Sequence, residues 1–108
     1  MEPVKYRLNS EDIETILYTL SILPSLDVEV SDIQAEINYQ CCLSAAQKLT
    51  SGNPDILPNE FRVIFASLQA AQLIMQGEYE ADSETKKGCF NHLFTINKLV
   101  SVFKPLFS

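Results

Sequence analysis

The chain has 108 residues, of which 46% are hydrophobic and 20% charged, and its net charge is −6. That length suits one domain, and the apolar share supports a buried core, which argues against disorder. No basic face is visible to contact phosphates, so nucleic acid is disfavoured, and the acidity also disfavours anionic membrane surfaces. The charge is uneven: residues 1–54 carry −5 and residues 55–108 carry −1. This imbalance suits a basic protein partner through electrostatic steering.

The stretch Val4 to Leu8 alternates and reads as an irregular lead-in or a short extended arm. Met1-Glu2-Pro3 is not the basic start of a secretory signal, and no apolar run follows it. Asn9 and Ser10 are good N-caps for a first helix, and Glu11, Asp12 and Glu14 complement its dipole. Ile13, Ile16, Leu17, Leu20 and Leu23 then recur at helical spacing, and Pro24 stops the helix. This gives a first helix over residues 10–23, followed by a connection from Ser25 to Val30.

Ser31-Asp32-Ile33-Gln34 matches a capping box. It opens a second helix over 32–50, with the stripe Ile33, Ile37, Cys41, Ala45 and Leu49 expected to face the core. Thr50-Ser51-Gly52-Asn53-Pro54 is the strongest break in the chain. A third helix follows over 59–76, with Asn59 as its expected cap and Gly77 as its C-terminal stop. Asp82 or Ser83 caps a fourth helix over 83–104, on which Cys89, Leu93, Ile96, Val100 and Phe103 form the apolar stripe before Pro105. A weak echo at an offset of 48 aligns Ile13, Ile16, Leu17 and Leu20 with Phe61, Ile64, Phe65 and Leu68, and Cys41 with Cys89. Generic amphipathic patterning is the simpler account of it, and no named repeat is assigned.

The expected architecture is all-α: a single-domain antiparallel four-helix bundle made of two αα-hairpins. Its most informative segment is Phe61 to Gly77, which carries one charge, Arg62. At about 100° per residue, one face gathers Phe61, Ile64, Phe65, Leu68, Ala71 and Met75, and the opposite face Val63, Ala66, Ala70, Leu73 and Ile74. An ordinary bundle helix needs only one apolar side, so the outer set requires a second cover, from a loop, a second copy or a partner. Phe90 and Phe94 on the fourth helix add further apolar surface. The expected interface is therefore Val63, Ala66, Ala70, Leu73, Ile74, Phe90 and Phe94, and a symmetric homodimer is the simplest way to close it. Ile74→Asp separates the possibilities, because it breaks a complex if Ile74 is interfacial and the fold itself if Ile74 is core.

The usual constellations of catalysis are missing. His92 is the only histidine, and no phosphate-cradling glycine loop, nucleophile elbow, EF-hand loop or di-iron motif is present. No catalytic residue and no cofactor are assigned, and the chain is not expected to be an enzyme. Three cysteines, two of them adjacent, make a poor disulfide framework and favour a reducing cytoplasm. The longest uncharged run, Val63 to Gly77, is 15 residues and too short to span a bilayer.

The leading reading is thus a small acidic, cytoplasmic protein-interaction module — an adaptor, regulator or inhibitor — that self-associates through the third helix. One alternative is a bundle that holds an apolar ligand among Phe61, Phe65, Phe90, Phe94 and Met75. Another is a thiol or metal site at Cys89 and His92, which share a helical surface; no metal ligand set is assigned there, because adjacent Cys41 and Cys42 point about 100° apart.

Overall fold

A computed structural model describes residues 8–23, 31–53 and 55–107. The connection expected over 25–30 and the lead-in over 4–7 lie outside the described residues. The chain is all-helical, with α1 at Ser10–Ile22, α2 at Asp32–Ser51, α3 at Pro58–Met75, α4 at Ser83–Asn91 and α5 at Leu93–Phe103. A short 3-10 turn over Lys104–Phe107 follows α5.

Helix ends are set by local chemistry. The Asn9 side chain accepts from the Asp12 amide at 2.7 Å, and the Asp12 carboxylate accepts from the Asn9 amide at 3.2 Å. This reciprocal pair satisfies two donors that α1 would otherwise leave orphaned. Ser31 caps α2 by accepting from Gln34, and Asp82 caps α4 by accepting from Thr85. Gly52 and Gly77 close α2 and α3 with φ of +77° and +82°, a left-handed geometry that a side chain would strain.

The start of α3 departs from expectation. Leu57, not Asn59, occupies the N-cap, and Pro58 takes the first helical position. No oxygen on Leu57 can cap, so Glu60 reaches back and accepts from the Leu57 amide at 2.8 Å. Asn59 lies inside the helix and donates to the Cys41 sulfur at 3.4 Å.

The expected fourth helix over 83–104 is two helices broken at His92. The His92 backbone leaves helical geometry, at φ −110° and ψ 16°, and its amide donates to the Cys89 carbonyl three residues back. The cause is tertiary. Thr15 hydrogen-bonds His92 Nδ1 at 3.0 Å, and the Tyr18 ring stacks on the imidazole with centroids 5.3 Å apart. The same ring lies over Gly88, where a Cβ would stand 1.9 Å from the Tyr18 hydroxyl. Gly88 supplies both the room for the ring and the weakest helix propensity next to the break.

Helix α3 is the centre of the fold and packs against α1, α2, α4 and α5. This explains its two apolar sides. Phe61, Ile64, Phe65, Leu68 and Ala71 are buried, and so are Val63, Ala70 and Ile74 opposite them. Phe61 meets Phe103 edge to face at 4.7 Å, with Ile16, Leu20, Leu49, Ile96 and Leu99 completing the core.

Three polar contacts fix how the helices sit. Lys48 of α2 pairs with Glu60 of α3 at 2.6 Å, and Lys98 of α5 pairs with Asp12 of α1 at 2.6 Å. Both acids are buried. Where α1 crosses α3, the Thr19 and Ser67 hydroxyls meet at 2.9 Å inside the core. Each also lies within bonding reach of the carbonyl three residues back, Ile16 and Ile64 respectively. Of the two hydroxyls, one can donate to its partner while the other donates to its own helix.

Candidate functional site

Burial along α2 is lopsided. Cys41, Cys42, Ala45 and Leu49 are buried, but every residue from Asp32 to Ile37 is exposed. Ile33 is 76% exposed and Ile37 50%, so the expected stripe is core only in its C-terminal half. The first turns of α2 stand clear of the body, and an open groove of about 860 Å³ runs between α2 and α3.

Small side chains make this space. Val63, Ala66, Ala70 and Leu73 line it from α3, and Ala35, Tyr39 and Cys42 from α2. Asp32, Glu36 and Asn38 of α2, and Arg62 and Gln69 of α3, supply its polar groups. Leu23 and Tyr79 complete the lining. An apolar cleft of this size with a few polar groups is the usual form of a binding site.

The expected interface residues divide into three groups. Val63, Ala66, Ala70 and Leu73 come together along the groove wall. Ala66 is exposed and Leu73 half-buried, while Val63 and Ala70 show only edges. Ile74 is 1% exposed and belongs to the core, which corrects its placement on a surface. Phe90 and Phe94 lie away from the groove, at the end of α4 and the start of α5, with 52% and 83% exposure. The five residues proposed to line an apolar ligand cavity do not converge: Phe61 and Phe65 are buried, Met75 is half-buried, and Phe90 and Phe94 face solvent.

The α2 surface that sequence reasoning missed carried a faint signal. Ile33 and Ile37 fit a core stripe by spacing, yet Asp32, Gln34, Glu36 and Asn38 surround them with polar neighbours. A helix end that is polar all round except for two isoleucines is a poor candidate for burial on every side.

Cysteine and histidine chemistry finds little support in the geometry. Burial, with Cys41 beside it, pushes the Cys42 thiol up to about 11, and burial also raises the Cys89 thiol. Raised thiols stay protonated at neutral pH and make weak nucleophiles. His92 is engaged by Thr15 and Tyr18. Among the described residues, no three His, Cys, Asp or Glu side chains are grouped to hold a metal ion. Cys42 and Cys89 should therefore resist alkylation in the folded protein at pH 8 and react quickly once guanidinium unfolds it. Mass spectrometry after a timed iodoacetamide pulse reads this, and rapid modification of either thiol in the native state sinks it.

Tyr18 sits in a second cleft, between α1 and α4. Its hydroxyl donates to the Thr85 carbonyl at 3.2 Å. Burial, then the proximity of Cys89 and Asp82, raises its pKa above the ordinary tyrosine value. This cleft is filled by the chain's own side chain, whereas the α2/α3 groove stands open.

No helix among the described residues is long and apolar enough to cross a membrane. No protein-family model matches the chain, and no curated protein or solved structure is significantly similar to it.

Proposed function

We propose that the chain is a small acidic, non-catalytic interaction module that self-associates through the α2/α3 groove, forming a homodimer. In this reading it is one domain of two αα-hairpins, α1–α2 and α3–α4/α5, packed as an antiparallel bundle whose fourth arm is broken at His92. It acts as an adaptor, regulator or inhibitor in the cytoplasm, a compartment that suits its three free cysteines.

The observation that carries the reading is the open groove beside the uncovered first turns of α2. An apolar cleft lined by Val63, Ala66, Ala70 and Leu73, flanked by exposed Ile33 and Ile37, is the kind of open apolar surface at which partners dock. The groove differs from the interface read from sequence. It uses the edge of α3 next to α2, while the rest of the outer face of α3 is spent in the core.

Sedimentation equilibrium across the micromolar range tests this. The wild-type chain is expected to move from monomer to dimer mass with rising concentration. Ala66→Asp, at an exposed groove position, should hold it at monomer mass with its helical spectrum unchanged. A wild-type chain that stays monomeric throughout overturns the proposal.

A further inference from the structure

Several polar contacts of the two halves of the chain correspond at nearly constant sequence offsets. Helices α1 and α3 superpose in sequence at an offset of 48: caps Asn9 and Leu57, first residues Ser10 and Pro58, buried acids Asp12 and Glu60. At this offset Thr19 corresponds to Ser67, and these two hydroxyls touch each other. Each also lies within reach of a carbonyl that corresponds, Ile16 and Ile64. The partner helices follow at an offset of 50: Lys48 and Lys98 correspond, and each pairs with the buried acid of the corresponding helix. Generic amphipathic patterning predicts none of these polar matches.

The correspondence identifies the groove. Around Tyr18, α4 presents Asp82, Thr85, Gly88, Cys89 and His92. Fifty residues earlier stand Asp32, Ala35, Asn38, Tyr39 and Cys42, and all five line the α2/α3 groove. The position corresponding to Tyr18 is Ala66, which also lines it. One cleft is thus plugged by an aromatic ring of its own helix. Its counterpart is walled from the corresponding positions, with different side chains at all but Asp32, and has an alanine where the ring would stand.

We infer that the α2/α3 groove is a socket for one aromatic side chain, and that a second copy of the chain supplies it as Phe94. This rests on the self-association proposed above. Phe94 is the most exposed large apolar side chain among the described residues, with Phe90 four positions before it. Lys86 and Lys87, one turn before Phe90, are exposed as well. They complement Asp32 and Glu36 on the α2 wall of the groove, while Arg62 stands on its α3 wall. Added salt therefore weakens the association.

Three variants test the socket against wild type by sedimentation, each with its melting curve recorded. Phe94→Ala, at a surface position, should weaken self-association by about tenfold or more, the behaviour of a buried aromatic anchor. Phe94→Tyr should retain it, because Asn38 and Gln69 in the groove lining offer a hydroxyl polar partners. Ala66→Tyr, at an exposed position, should put a ring into the groove from within and abolish association, with a cooperative melt showing that the fold is kept. The chain has no tryptophan. Phe94→Trp therefore gives a clean reporter, whose emission should shift to the blue as concentration rises and stay unshifted when Ala66→Tyr is added. Association that survives both Phe94→Ala and Ala66→Tyr overturns the socket and leaves the interaction module standing. A wild-type chain that never associates overturns both.

Discussion

Ile74→Asp is expected to unfold the chain. Ile74 lies on the side of α3 away from Phe61 and Leu68, where periodicity alone makes it as good a surface residue as a core one. In the structure it is 1% exposed, within a helix touched by four others. A carboxylate placed there loses its hydration among the apolar side chains of the core. Burying an unpaired charge costs upwards of about 4 kcal/mol, against a total stability on the order of 5–15 kcal/mol for such a domain. Circular dichroism at room temperature should show most of the helical signal gone. Leu73→Asp, one residue away but half-buried at the groove, should keep that signal. A cooperative melt for Ile74→Asp close to that of wild type would falsify the assignment of this face to the core.

Glu60→Ala ranks second, at about 3 kcal/mol of destabilisation. The Glu60 carboxylate accepts from Lys48 Nζ at 2.6 Å, from the Ser44 hydroxyl and from the Leu57 amide at 2.8 Å. Burial alone pushes its pKa up. The bonds from Lys48, Ser44 and Leu57, with the Lys48 charge, outweigh burial and leave the pKa below the ordinary glutamate value. Because the folded pKa is depressed, Glu60 contributes its full stabilisation above the unfolded value of about 4.3 and loses it as pH falls through the folded value. Alanine removes the cap of α3, strands the Ser44 hydroxyl and frees the Lys48 ammonium, which also donates to the Asp55 carbonyl at 3.0 Å. Chemical denaturation from pH 7 down to 3 should show the wild-type chain losing stability below about pH 4 and Glu60→Gln following a flatter profile. Equal slopes for the two proteins in that window contradict the assignment.

What could be read from sequence was mostly what neighbours in sequence decide. Asn9, Ser31 and Asp82 cap helices because each cap bonds an amide three residues on, and Gly77 closes α3 through its own backbone freedom. The all-helical character followed from apolar spacing for the same reason. The break at His92 was not legible, because its cause is Tyr18 on another helix, and a cysteine-histidine pair one turn apart says nothing of a ring stacked beside it. Asp12 was legible as a complement to the α1 dipole but not as the buried partner of Lys98. Both apolar sides of α3 were visible in sequence, yet most of their cover came from within the chain, and only Ala66 and Leu73 on the outer side stay open to the groove. The uncovered surface lies on α2, where Ile33 and Ile37 repeat every four residues like any core pair. Periodicity reports which residues share a face and is silent on how far along a helix the neighbouring helix reaches.

The Thr19–Ser67 contact has a consequence for how α1 and α3 can be aligned. Apolar ridges tolerate sliding, since one leucine fills a groove much as the next one does. Two hydroxyls buried in a core do not. Sliding α1 along α3 by one turn, about 5.4 Å, would part the pair, leaving each hydroxyl only the carbonyl of its own helix and losing the bond between the helices. The pair therefore works as an indexing pin. It adds little to the depth of the native state and much to the height of the misaligned ones, so that a helix pair otherwise greased by isoleucine and leucine has one seat.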